Sequence, residues 1–404
     1  MKEIEKTLEW IKKQGLYPNP PIVSSPHDTE VIVNNKKVVM FATNNYLGMM
    51  KDPRVIEAAV EGVKKWGIGN GSARLLTGNL EIHHQLEAAI AKFKEKESAL
   101  SFTTGFMANA GAIPALAATY KTDLTSLLMG RTEKNRDTII FSDEYNHASI
   151  VTGIQLSRCA KEIYKHCDMP DLESRLKKYP LEARKIIITD GIFSMEGDIA
   201  PLPEIFALAT KYNATTYLDD AHATGIFGDN GRGTEEHFKL QGKADVVMGT
   251  FTKAFGGVGG FIVGSTKLID YVRVTADSFI FTAPIAPPVV YGLIEAIKVV
   301  EAESWRRIKV LKNAAYLREK LVENGFDILN SQTQIIPVRI GNEIKALDVS
   351  SELLERGIFV PAARWPAVSK GSARLRLTVS CDHTDSQMDF LVSELNQVRD
   401  SIKL

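Results

Sequence analysis

The chain has 404 residues, 44% hydrophobic and 24% charged, enough apolar material for a large core and more than one domain. Lys plus Arg and Asp plus Glu both number 49, so the formal net charge is zero and the basic excess that nucleic acid demands is missing. No stretch approaches the roughly 18 uninterrupted apolar residues of a membrane span, and Cys159, Cys167 and Cys381 fit no metal-ligand spacing, which points to a reducing compartment, the cytoplasm.

Residues 4–14 place Ile4, Leu8 and Ile11 at helical spacing, with Gly15, Pro18 and Pro20 as the stop. This amphipathic run mixes acids with lysines and lacks an apolar core, so it reads as neither a signal peptide nor an anchor. Residues 30–33 and 37–41 read as a hairpin across Asn34-Asn35-Lys36, leading into TNNYLGM, where paired amides suit either a turn or a carboxylate. A helix is predicted over 53–66, stopped by Gly67. The polar, glycine-rich GIGNGSARLLTGN follows, then a helix over 81–96 and a strand over 98–102. That strand ends in Thr103-Thr104-Gly105-Phe106 before a small, apolar helix over 108–118. Strand, Thr-Gly turn and helix N-terminus together make a phosphate site, because free N–H groups and the helix dipole point the same way.

Residues 119–137 read as an inserted polar excursion. Strands are then predicted at 138–142, 162–164, 185–190, 215–219, 244–250 and 260–263, with helices at 149–159, 170–178 and 203–212 between the earlier ones. This is the alternation of a mainly parallel sheet with right-handed crossovers. In such sheets ligands bind where strands stop. Here the strands stop at DEYNHAS, GIFSMEGD, DDAHATG and TFTKAFGGVGG. After Asp277 the prolines of SFIFTAPIAPP mark a domain joint. A long helical stretch over 289–323 follows, then strands at 335–339, 358–359 and 373–378 and a terminal helix over 386–401. The division expected is an N-terminal segment 1–52, a large domain 53–283 and a smaller α+β domain 284–404.

Asp219, His222 and Lys253 stand at strand ends that one sheet edge brings together. Partial burial lowers an amine pKa and makes a nucleophile of it. A lysine with a carboxylate for a pyridinium nitrogen is what pyridoxal phosphate (PLP) requires. Thr104, Gly105, Phe106 and Thr250 supply hydroxyls and N–H groups for its phosphate, and His147 offers a flat cover for its ring.

NNYLG, GSARLLTGNLEIHHQLE, TTGFMANAG, DEYNHASI, TDGIFSMEGDIAPL, LDDAHATGIFGDNGRG, GTFTKAFGGVGGF and RLRLTVS, in this order over nearly the whole chain, resemble the α-oxoamine synthases. These are PLP enzymes that condense a small amino acid (Gly, Ala or Ser) with an acyl thioester and lose CO2. The resemblance implies an α/β chain of PLP-dependent transferase fold type I, with a mainly parallel seven-stranded sheet in the large domain and a smaller α+β C-terminal domain. It implies that Lys253 holds PLP, that Asp219 pairs with the pyridine nitrogen, and that His222 meets the ring hydroxyl oxygen with Ser194 nearby. His147 then stacks on the ring, Thr250 with Gly105 and Phe106 takes the phosphate, and Arg376 with Asn44 holds the substrate carboxylate. The glycines after Lys253 are expected to let ring and phosphate approach the backbone.

The partners implied are an amino acid and an acyl-CoA or acyl carrier protein, and the assembly a homodimer with shared active sites, in which Ala73, Thr77 and Thr282 line the partner's site. No metal is implied. The motifs are mixed: KAFGG leans toward the oxononanoate and ketobutyrate enzymes, GVGGF, SFIFTA and GFMAN toward the serine palmitoyltransferase side. Two rival readings are an aminotransferase of the same fold type, which would half-transaminate with a keto acid, and a non-catalytic relative, which would not hold PLP.

Overall fold

The computed structural model describes residues 1–14, 17, 20–120 and 134–402. At its centre a seven-stranded sheet runs in the order Ser98–Phe102, Gly260–Gly264, Val246–Thr250, Ala214–Asp219, Lys185–Asp190, Ile139–Asp143, Ala160–Tyr164. Gly260–Gly264 is antiparallel to both neighbours and the remaining pairs are parallel. All six residues of Lys185–Asp190 are buried, because helices cover both faces of the sheet. The two-residue period of a strand sorts the side chains. Ile187, Phe141, Leu218 and Val247 enter one apolar cluster, and Ile186, Ile188, Tyr217 and Met248 enter the other.

Local chemistry explains where the helices begin. Asp52 caps Pro53–Trp66 by accepting from Arg54 N at 3.1 Å, with Pro53 in the first turn and Gly67 at φ +73° past its end. Thr104 caps Gly105–Ala117 by accepting from Met107 N at 3.1 Å. The helix therefore starts three residues earlier than its apolar pattern, and its N-terminus meets the strand edge directly. The hairpin Glu30–Val33 and Lys36–Met40 turns through Asn34 and Asn35, at φ +47° and +65°.

The 289–323 stretch is two helices, Pro287–Ala302 and Ser304–Glu323, broken at Glu303. The break leaves the Glu303 carboxylate free to pair with Arg54 and Arg306, each at 2.7 Å. Two helices that the apolar pattern did not indicate, Thr266–Thr275 and Glu343–Glu355, are capped by Ser265 and Asn342. Pro287–Ala302 packs on Pro53–Trp66 and on Glu81–Phe93. Ile335–Gly341, Ala373–Thr378 and Ala362–Ala363 form a second, three-stranded sheet, and Ile358–Phe359 joins the N-terminal hairpin in a third. Of the 119–137 excursion, residues 121–133 lie outside the described residues, while Thr119–Tyr120 and Lys134–Asn135 pair antiparallel.

Candidate active site

Adjacent parallel strands held in register place Asp190 beside Asp219 and Asp219 beside Met248, so their ends open onto one edge. A cavity of about 360 Å³ lies there, lined among others by Thr104, Gly105, Phe106, His147, Ser194, Asp219, His222, Thr250 and Lys253. Nine residues assigned from sequence thus meet in one space. Asn44 and Arg376 do not line it. Arg376 lines a neighbouring cavity of about 380 Å³ along Pro361–Ala367, and its Nε donates to Ser194 O at 2.6 Å. The Asn44 Oδ1 accepts from the Tyr46 hydroxyl at 3.0 Å. Ala73, Thr77 and Thr282 do not line the cavity of the single chain.

Asp219, 4% exposed, is fixed by its neighbours. Its Oδ2 accepts from Asn109 Nδ2 at 2.7 Å and its Oδ1 from Ala221 N at 3.1 Å. Asn109 is itself held, accepting from the Tyr217 hydroxyl at 2.8 Å and donating to Ser149 Oγ at 2.9 Å. Ser149 Oγ lies 2.7 Å from His147 Nδ1, which also accepts from Ser149 N at 3.3 Å. Nδ1 is therefore the lone-pair nitrogen, and the network makes His147 a neutral imidazole. Burial lowers its pKa most, the Asp219 charge acts against it and the Lys253 charge with it, and the net shift is downward. His222 Nδ1 lies 2.9 Å from the Tyr46 hydroxyl. The hydroxyl's proton goes to Asn44, so His222 donates from Nδ1 and keeps a lone pair on Nε2. Burial, with Lys253 and Arg376 nearby, pushes the His222 pKa well below its usual value.

Lys253 lines the cavity. Burial is the largest influence on its amine and lowers its pKa to about 8. The Arg376 charge acts the same way, and Asp219 and Asp190 act against them. Asp190, buried beside Asp219, has its pKa raised well above the carboxylate range by burial first and the Asp219 charge second, while its Oδ2 accepts from His147 N at 2.9 Å. Asp190, Asn109, Ser149 and Tyr46 were not recognised as site residues in the sequence. Asp190 had a signal, since it ends KIIITD at the strand edge just as Asp219 ends its strand. Asn109 lies inside an apolar helix, and only the fold shows that it faces Asp219.

The glycines after Lys253 are required by the protein's own packing. A Cβ on Gly256, at φ +69°, would stand 2.6 Å from Met50 N, and one on Gly257 2.6 Å from Leu293. On Gly260 it would stand 2.5 Å from the Gly105 Cα. These glycines let protein pack on protein, and by bringing Gly105 against the sheet they set the helix N-terminus at the cavity wall. The residues fit PLP. The first N–H groups of Gly105–Ala117 suit its phosphate, beside the Thr250 hydroxyl, which here donates to Gly259 O at 2.8 Å, while Asp219 suits its ring nitrogen and a partly neutral Lys253 its aldehyde.

A family model described as "Aminotransferase class I and II" matches residues 36–395. An 8-amino-7-oxononanoate synthase from Alkaliphilus oremlandii is 42% identical over 402 residues, covering 99% of this chain and 98% of the relative. Another of that name, from Lysinibacillus sphaericus, is 42% identical and covers 97% of each. A serine palmitoyltransferase structure from S. paucimobilis superposes with a TM-score of 0.90 at 30% identity, over 99% of this chain and 98% of that one.

Proposed function

Because the chain belongs to the class I and II aminotransferase family and is a PLP-dependent α-oxoamine synthase, we propose that it makes 8-amino-7-oxononanoate. The observation that carries this is the 42% identity over nearly full length to relatives of that name. The product fixes the substrates. In a decarboxylative condensation the ketone carbon is the former thioester carbonyl, so the acyl donor is a heptanedioyl thioester. The amine-bearing carbon and its methyl are what alanine keeps after losing CO2. A new C–C bond forms, the C–S and Cα–carboxylate bonds break, and the thiol and CO2 leave.

Bound in the cavity, PLP supplies an electron-withdrawing ring that stabilises negative charge at the amino-acid Cα. Lys253 holds the cofactor and, once free, moves the Cα proton, a task suited to an amine whose pKa is about 8. Asp219, held in place by hydrogen bonds from Asn109 and Ala221 N, would pair with the ring nitrogen. Neutral His147 covers the ring, and His222 and Ser194 meet its hydroxyl oxygen. Gly105, Phe106, Thr104 and Thr250 take the phosphate. Arg376, which lines the neighbouring cavity, would reach the substrate carboxylate from there, with Asn44.

The enzyme acts as a homodimer in the cytoplasm. Phe106, at the cavity, and Phe281 are 47% and 80% exposed and suit cover by a second copy. Among the described residues no helix is long and apolar enough to cross a membrane, and the three cysteines are free.

The test is a matrix of glycine, alanine and serine against acetyl, heptanedioyl and hexadecanoyl thioesters, each on CoA and on carrier protein, following CO2 and thiol release. Alanine with the heptanedioyl thioester should give the highest kcat/KM. A preference for serine with hexadecanoyl, or glycine with acetyl, would overturn the assignment.

A further inference from the structure

Where Ala160–Tyr164 ends, His166 lies between two carboxylates, with Nδ1 3.0 Å from Asp143 Oδ1 and Nε2 2.8 Å from Asp198 Oδ2. Both oxygens accept only if both ring nitrogens carry protons, so the side chain is an imidazolium. It is enclosed, with 16% of its surface exposed. The Tyr145 ring stacks on it at 4.5 Å and the Phe193 ring meets it edge-on at 4.4 Å. Burial alone would remove the proton, but the two carboxylates outweigh it and push the pKa up to about 12.

The contacts join two loops of the active site. Asp143 begins the segment that ends at His147, and it also accepts from Tyr145 N and Cys167 N, both at 2.9 Å. Asp198 closes the loop that begins at Asp190 and contains Ser194. Its Oδ1 is buried without a partner, so His166 supplies its side-chain hydrogen bond. On the cavity side the same loops are tied by His147 N to Asp190 and by Asp190 N to Asn146 Oδ1, at 2.9 and 2.8 Å. The segment carrying His147 is thus held at both ends.

We propose that His166 is a positioning residue whose bridge between Asp143 and Asp198 locks the His147 segment to the Ser194 loop and so sets how the cofactor is held. The inference rests on the cavity being the PLP site. A metal at Asp143, His166 and Cys167, whose ligand atoms lie within 4.8 Å of one another, is the competing use of these groups. It would have to displace a proton that two carboxylates hold, and a thiol proton that burial holds.

The test is His166→Gln, with PLP affinity and the circular dichroism of bound PLP measured at pH 6 and pH 8. Removing the cation leaves Asp143 and Asp198 facing each other, with Glu144, Tyr145, Tyr164, Cys167, Asp190 and Glu196 as the other titratable neighbours. One carboxylate then regains a proton as pH falls. PLP binding should be about tenfold weaker at pH 8, the loss of one charge-assisted contact, and should recover toward pH 6, while the wild type shows no such recovery. The double variant His166→Gln/Asp198→Asn removes the stranded charge, and should restore most of the affinity without the pH dependence. Wild-type affinity and dichroism in His166→Gln at both pH values would overturn the inference alone. A wild-type chain that binds no PLP would overturn the reading of the cavity and the inference with it. Stoichiometric binding of Zn²⁺ alone, lost in Cys167→Ser, would overturn it in favour of a metal site.

Discussion

Two lysines, Lys94 at the end of the helix Glu81–Phe93 and Lys253 past the end of the strand Val246–Thr250, show how placement decides chemistry. Lys94 Nζ lies 2.9 Å from Asp220 Oδ2 and 3.2 Å from Thr224 Oγ1 and also meets Arg232 O, with its side chain 2% exposed. Lys253 has no carboxylate within ion-pair distance among the described residues, and its amine titrates near 8. The adjacent carboxylates Asp219 and Asp220 divide in the same way. Asp219 lines the cavity, while Asp220 turns the other way and binds Lys94 and Thr234. A fully paired lysine is structural, and one whose nearby charges do not neutralise it is reactive.

The largest expected effect comes from breaking the reactive side. Lys253→Ala should lower kcat by about 10³-fold or more, the scale of a lost positioned base and nucleophile, while the thermal midpoint of the apo-protein stays near wild type. Lys94→Ala should do the reverse. Stranding Asp220 in the interior costs about 3–5 kcal/mol of stability, read from urea unfolding, and the folded fraction should keep its kcat. A smaller effect tests the turn beside Lys253. Gly256→Ala, with a positive φ and a Cβ 2.6 Å from Met50 N, should destabilise the apo-protein by about 1–3 kcal/mol even without PLP. If these glycines served only to admit a ligand, the apo-protein would be indifferent to the change.

The parts of this comparison differ in how far the sequence carries them. Strand ends were legible because a buried apolar run followed by a polar residue and a turn has a local signature, and Asp219, His147 and Lys253 each end or follow such a run. The convergence of those ends followed from the parallel alternation. Lys94 had no such signature. It sits among other lysines of AKFKEK, and only packing against Asp220 distinguishes it. Asn109, Tyr46 and His166 work through partners 110, 176 and 23 to 32 residues away, a separation that no local pattern encodes. The glycine cluster marks close approach in the sequence but not what approaches, and Met50, Leu293 and Gly105 are among what does. The break at Glu303 has no local signature because both helices share the apolar period, and the partners of Glu303 there, Arg54 and Arg306, are set by the fold.

The most direct test is to add PLP to the apo-protein across pH 6 to 10, fix it with borohydride, and map the modified peptide. A lysine amine reacts only when unprotonated. Lowering the pKa from 10.5 to about 8 makes about a tenth of it reactive at pH 7, against about one part in three thousand. The account predicts attachment at Lys253 with an initial rate that rises up to about pH 8 and then levels. Attachment at another lysine, or a rate still climbing tenfold per unit beyond pH 9, would contradict it.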